Sequence, residues 1–426
     1  MIRHTHFYKN YVVMAVIAFF ITMLQRNLIF SGADYILLVA LIVMCIICHR
    51  VLRMPSNSYM ILFVFFILMM VVNSIISSYT PNLYLTILAL FLSVCPFLVF
   101  IVSYSVLMSY IELIQYINIL IKCIFIIAIS MYIETVIFNL KSEGILSSYL
   151  FMPGFAASLF NQAIILCLTL FMLTKQKKYL QLSTFFIVTI FMTFQFKAII
   201  GTLILISIYL IIKSKNKFKT IVMISCVAVM MIVVGLQLPG FRDKMVKYTK
   251  IYNVSDEEST GIARVALYMT AFKIANEYFP FGTGQGSYGS VPVNIVYSKV
   301  YSDYNIDKVY GLGWNDKVNF RMDTHWATIL GENGYLGILL YVLLMLYPYR
   351  FYMKKIVKRN YAFVFFLLTS PCCIIFESIV LSIPTRLAFM LIFSGLSGLI
   401  LREQYNNQIK SKSNIIESHF GKEVNG

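Results

Sequence analysis

The chain has 426 residues, of which 60% are hydrophobic and 12% charged. Water-soluble domains are about 45–50% apolar and about 25% charged, so a soluble fold is excluded and lipid is the expected solvent. The net charge of +17 suggests a nucleic-acid partner only until the basic residues are located, because they cluster in alternate short loops, as orientation in a membrane requires.

A membrane-spanning helix needs about 20 mostly apolar residues. Such runs occur at 11–24, 33–48, 59–76, 83–104, 117–138, 155–173, 180–196, 198–212, 220–238, 326–347, 361–376 and 384–401. They predict an all-α polytopic integral membrane protein of about twelve transmembrane helices, a single membrane domain over 1–426. The loops "HRVLRM", "KQKK", "KSKNKFK" and "RFYMKKIVKR" fall on one side, which the positive-inside rule makes cytoplasmic. Both termini are then cytoplasmic, including a polar tail, 402–426. The first run lacks a small-residue cleavage site and continues into "QRNLIF", so no cleavable signal peptide is expected. Cys45 and Cys48 spell C-x-x-C inside an apolar run without a second pair or a nearby histidine, which reads as packing and not as metal or redox chemistry.

One connection is long. Residues 239–324, between the ninth and tenth runs, form a large extracytoplasmic loop rich in Tyr, Gly and Asn. Loops beyond about 15 residues are usually functional or disordered, and this one carries a helical signal. In "STGIARVALYMTAFKIANEYFPFG", Ser259 or Thr260 serves as a cap, Ile262, Val265, Met269 and Phe272 form an apolar stripe, and Pro280 and Gly282 end the helix. Arg264 and Tyr268 lie off the stripe, one turn apart. The following "FGTGQGSYG" contains G-x-G-x-x-G as Gly284, Gly286 and Gly289. A dinucleotide site needs a strand before that motif, and a helix precedes it here. A tight turn remains, with a backbone nest suited to a phosphate or sugar.

The tenth run opens with "DTHWATILGENGYLGILLY". Thr324 or Asp323 caps a helix whose first turn places His325 at the outer surface. Glu332 follows seven residues later, on the same face and about 10 Å further along the axis. An ionised group in a span usually faces the bundle interior with a partner, so Glu332 reads either as a cation-paired packing residue or as part of a site. Cations on the same side are Lys197 at the turn "FQFKAIIG", Arg264 near a helix start, Arg321 just before His325, and Arg386 in "IPTRLAF". Glu377 reads as a structural partner for Arg386, and Lys122 as a snorkelling residue. One histidine among several Lys/Arg suits a substrate with a phosphate-containing leaving group. Arginine clamps pyrophosphate through paired donors, and histidine takes a hydroxyl proton near neutral pH.

These features resemble the O-antigen polymerase and O-antigen ligase superfamily. Its motif H-N-x-x-L-x-x-x-x-E-x-G-x-x-G resembles His325-Trp326 through Gly331-Glu332-Asn333-Gly334 and Gly337. Its loop S-G-R resembles Thr260-Gly261 and Arg264, its proline and G-x-G turn resemble Pro280 and Gly282–Gly286, and its Q-S-R-G turn resembles Gln195-Phe196-Lys197. Trp326 stands where Asn is usual and Lys197 where Arg is usual.

The resemblance implies a polysaccharide polymerase in a bacterial plasma (inner) membrane. Such an enzyme joins undecaprenyl-pyrophosphate-linked oligosaccharide units into O-antigen or capsular polysaccharide at the outer face. It implies His325 as general base or acceptor-orienting group. Arg264 and Lys197 would stabilise the leaving pyrophosphate, Arg321 or Arg386 would assist, and Glu332 would lie in the site. No cofactor or metal is implied. A chain-length regulator and flippase of the same pathway would be partners. The alternatives are an O-antigen ligase moving finished polymer to lipid A-core, and a lipid-linked oligosaccharide flippase or transporter. The last gives the long loop no role.

Overall fold

The apolar runs become helices because a backbone in lipid must satisfy its own hydrogen bonds. The computed structural model describes residues 12–13, 16–17, 55–106, 108–138, 146, 153–216, 218, 222, 260–356, 361–380 and 386–404. In chain order the helices are α1 Asn57–Ile76, α2 Leu83–Ser105, α3 Tyr110–Phe138, α4 Pro153–Thr174, α5 Lys177–Met192 and α6 Phe196–Lys213. Then come α7 Thr260–Glu277, the short α8 Lys299–Asp303, α9 His325–Ile356 and α10 Tyr361–Glu377. A last helix, α11, opens at Leu387–Met390, passes through a π turn at Leu391–Gly395 and continues to 404. Every regular element among the described residues is helical.

Among the described residues, 6 stretches are long and apolar enough, by length and composition alone, to cross a membrane: α1 to α4, α6 and His325–Tyr347 of α9, which is broken at Gly334. The helices α5 and α10 match predicted spans but have 16 and 17 residues, about 24–26 Å at 1.5 Å per residue. The runs predicted at 11–24, 33–48 and 220–238, and loop residues 239–259, lie wholly or mostly outside the described residues. The expected loose tail begins later than 402, since α11 carries Arg402 and Glu403 into buried positions.

Helix starts follow local chemistry. Ser56 accepts from the Tyr59 N–H and Asn82 from the Leu85 N–H, each filling a donor the first turn leaves unpaired. Ser109 and Glu112 exchange hydrogen bonds ahead of α3, the reciprocal capping box. The helix α4 is central: 83% of its apolar window is buried against protein, compared with 33% for α1. That is why α4 can carry Asn161 and Gln162, both fully buried, in mid-span.

The predicted single span at 326–347 is not one straight helix. At Gly334 the backbone leaves the helical region, with φ 62° and ψ −163°. Residues sixteen apart on a straight helix are separated by about 24 Å. Yet the His325 Nε2 and Tyr341 hydroxyl are 3.0 Å apart, so α9 doubles back at Gly334. A break frees backbone groups that lipid cannot satisfy, and the turn after α7 supplies their partners. The Thr283 and Gly284 N–H groups donate to the Gly331 and Glu332 carbonyls, and the Leu336 N–H donates to the Pro280 carbonyl. From α1, Asn73 Nδ2 donates to the same Glu332 carbonyl at 2.7 Å. A Cβ on Gly334 would lie 2.3 Å from the Phe281 carbonyl oxygen, so only glycine permits this approach.

Residues 260–324 build a second core on the first arm of α9. Ala263, Leu267, Ala271 and Ile274 of α7 pack with Tyr288, Val293, Val300, Tyr301 and Leu312 against Ala327 and Leu330. The apolar stripe predicted for α7 does not form the buried face. Val265, Met269 and Phe272 are 47%, 59% and 52% exposed. The alanine-rich face wins because small side chains let α7 approach α9 closely, around the stacked rings of Tyr288 and Tyr301.

Candidate active site

The last carbonyls of a helix have no partner within it. At the end of α10 those carbonyls collect the elements of the site. Trp326 Nε1 donates to the Ile375 carbonyl at 2.9 Å, and the Tyr268 hydroxyl to that of Ile379 at 2.9 Å. The first N–H of α9, from His325, donates to the Ser378 carbonyl at 3.3 Å. This last bond replaces the side-chain cap expected from Asp323 or Thr324. Asp323 is instead turned to Arg264, and the Thr324 hydroxyl is buried without a partner. The helices α7, α9 and α10 are thereby held at one point.

Around that point stand three of the predicted cations. Arg264 Nη2 lies 2.8 Å from Asp323 Oδ2, while its Nε is buried with no hydrogen bond. Burial raises the Asp323 carboxyl above its usual range, and the Arg264 guanidinium opposes that shift. Lys197 lies in the first turn of α6, not in the connection before it, and its Nζ is buried with no hydrogen bond. The charge that acts on it most is Glu377, followed by Arg264 and Asp323. The Lys197 ammonium and the Arg386 guanidinium both lie over the Phe155 ring, at 6.0 and 4.9 Å. Lys197 thus shares the Phe155 ring with Arg386 and has Arg264 among the charges acting on it.

Glu377 does not act as the predicted structural partner of Arg386. It is fully buried, and its Oε1 accepts from Asn161 Nδ2 at 2.6 Å and from the Cys373 thiol at 3.4 Å. Asn161 is fixed in turn by the Ala198 carbonyl and the Thr202 hydroxyl. Gly201 admits this contact, since a Cβ there would lie 2.8 Å from Asn161 Nδ2 and 2.9 Å from Glu377 Oε1. The other carboxylate oxygen, Oε2, makes no hydrogen bond; the Ser158 hydroxyl, which faces the carboxylate, donates to the Gly154 carbonyl.

His325 is not at the surface as expected. It is 3% exposed, its ring in edge contact with those of Trp326 and Tyr341, which also touch each other, and its Nε2 engaged by the Tyr341 hydroxyl. Glu332 shares a helical face with His325 on a wheel, yet the two have no partner in common. Glu332 is 1% exposed and accepts from the Tyr288 N–H at 3.1 Å and from the Ser290 hydroxyl. The N–H groups of Gly286 and Ser287 also face it. So the glycine-rich nest expected to take a phosphate or sugar is filled by the chain's own carboxylate, with N–H groups where a cation was expected. Positive φ at Gly284, Gly286 and Gly289 shapes that nest.

Arg321 lies apart from this group, inside the loop core. Its Nε donates to Asn294 and Asn319, its Nη1 to the Gly313 carbonyl, and its guanidinium lies over Tyr297 and Trp314. Sequence reading gave no role to Asn161 or Tyr341. Asn161-Gln162 was detectable as a polar pair within an apolar run, which usually marks an interior contact. Tyr341 carried no signal, because only the fold of α9 brings it to His325.

Residues 181–342 match the model of the Wzy_C family, described as O-antigen ligase. The match spans under half of the chain but includes Lys197, Arg264, His325 and Glu332. It is consistent with the O-antigen ligase superfamily, whose members are ligases and polymerases of the glycosyltransferase type, and it does not separate the two activities. No curated protein matches the chain.

Proposed function

We propose that the protein is a polysaccharide polymerase of the bacterial plasma membrane. It would join oligosaccharide repeat units carried on undecaprenyl pyrophosphate, at the outer face, without a metal. One observation carries the reading: Arg264 holds a buried, unpaired N–H donor and is paired to Asp323, two residues before His325, with the Lys197 charge acting in the same group. A cationic wall with unused donors fits an anionic leaving group, because each unpaired buried donor is costly until an acceptor arrives. Arg264 presents a planar fork to phosphate oxygens, and the Arg386 and Lys197 charges add to it. An acceptor hydroxyl attacks the anomeric carbon from the opposite side, the lipid pyrophosphate leaves, and the configuration inverts. His325, held through Nε2 by Tyr341, keeps Nδ1 for the acceptor side, as base or as orienting group.

The description of the matched family favours a second reading, an O-antigen ligase, which uses the same donor chemistry with a lipid A-core acceptor. Purified protein given lipid-linked repeat units alone tests the choice. A ladder of longer lipid-linked products supports polymerase. Product only when lipid A-core is added supports ligase. No turnover with either acceptor removes both readings.

A further inference from the structure

We propose that Glu377 takes the proton of the attacking hydroxyl, and that this hydroxyl is held between Glu377 and Lys197. This rests on the glycosyl-transfer reading above and goes beyond it, since that reading leaves the proton's destination open.

The geometry points to a hydroxyl. Glu377 is fully buried, with Oε1 fixed by Asn161 and Oε2 making no hydrogen bond. Across from it the Lys197 ammonium is buried without an acceptor, although Glu377 is the charge that acts on it most strongly. The two make no direct ion pair, so each is left with an unsatisfied polar atom facing an opposite charge. A phosphate oxygen would satisfy Lys197 but be repelled by Glu377. A hydroxyl satisfies both: its oxygen accepts from Lys197 Nζ and its hydrogen is donated to Glu377 Oε2. A carboxylate next to cations that bind pyrophosphate weakens their pull on the donor, so charge balance alone does not explain its free oxygen.

Asn161 orients the carboxylate as the third member of a base constellation does. Mutation to a side chain that cannot accept the proton should therefore affect the chemical step. His325 is less suited to that step, because its Nε2 is engaged by Tyr341 and its ring is buried in edge contact with Trp326 and Tyr341. In the reaction, the acceptor oxygen bonds to the anomeric carbon as the bond from that carbon to the pyrophosphate oxygen breaks. The hydroxyl proton passes to Glu377 Oε2. The electron pair of the broken bond leaves with pyrophosphate, whose charge Arg264 meets, and the protonated Glu377 later returns its proton to water.

The test compares Glu377→Gln with the full-length protein in detergent or nanodiscs, using purified lipid-linked repeat units. Glutamine keeps an oxygen for Asn161 but accepts no proton. Its kcat should fall about 10²–10⁴-fold, the usual share of a general base. Binding of the lipid-linked donor should be unchanged or tighter, because a negative charge has gone. An unchanged kcat per folded protein overturns the proposal and leaves Oε2 to a structural water. If the glutamine variant does not accumulate, the pH profile of His325→Gln decides. The acid limb of kcat should persist there, and its disappearance would assign the proton to histidine and sink the proposal. An inactive wild-type protein would instead defeat the glycosyl-transfer reading itself, so the two failures are distinguishable.

Discussion

The His325 Nε2 and the Tyr341 hydroxyl are 3.0 Å apart although sixteen residues separate them. This contact exists only because α9 turns back at Gly334, and it occupies one ring nitrogen of His325. Tyr341→Phe removes the hydroxyl and keeps the ring packing, at a net cost of about 1 kcal/mol in stability. Turnover should fall by roughly tenfold while abundance holds. His325→Ala should fall further, within the 10²–10⁴-fold range of an acid–base or orienting group. The double variant should match His325→Ala alone. Additive losses in single-turnover assays would show that Tyr341 acts independently of the histidine.

Glu332 fills the nest formed by Gly286–Tyr288 and Ser290. Glu332→Gln retains one acceptor but turns an amide donor toward N–H groups, which costs about 1–3 kcal/mol for the unsatisfied polar contact. The expected outcome is a lower melting temperature in detergent and reduced abundance, with turnover per folded molecule largely kept. A stable but inactive variant would move Glu332 into the chemistry.

Asp323 has its carboxyl raised by burial, with Arg264 opposing. A carboxyl raised on folding binds more protons in the native than in the unfolded state. Between the unfolded value and the folded value, stability therefore falls as pH rises. Asp323→Asn should remove that dependence. Its melting temperature relative to wild type should improve as pH rises from the ordinary carboxylate range toward neutrality, apart from the loss of the Arg264 ion pair. A wild-type and variant difference that does not change with pH would show that Asp323 titrates normally.

The long loop and the "KSKNKFK" loop should lie on opposite sides of the membrane. Ser302 and Lys215 are both exposed, so Ser302→Cys and Lys215→Cys are suitable labelling sites in a background without reactive native cysteines. In intact spheroplasts a membrane-impermeant thiol reagent should modify position 302 and spare position 215. The reverse pattern would invert the topology and place the site in the cytoplasm.

Composition and hydropathy by themselves determined the membrane class and most helix positions, because a lipid solvent demands long apolar runs whatever their neighbours. The α1 to α4 ranges agree with the predicted runs to within a few residues, apart from an earlier start of α3. The alternation of spans led to the expectation that Lys197, Arg264 and Arg386 lie on one side. What the sequence did not determine was partnership. A helical wheel put His325 and Glu332 on one face, and hydropathy drew 326–347 as one straight span. The tertiary structure decided otherwise, because the Pro280–Gly284 turn supplies the hydrogen bonds that a break at Gly334 requires. That break carries Tyr341 to His325 and gives Glu332 to the glycine turn. The assembled fold also buries the alanine face of α7 and not its larger apolar residues. Hydrophobicity selects which segments leave water, but close approach of backbones selects which small residues meet, and only the assembled fold supplies that second condition.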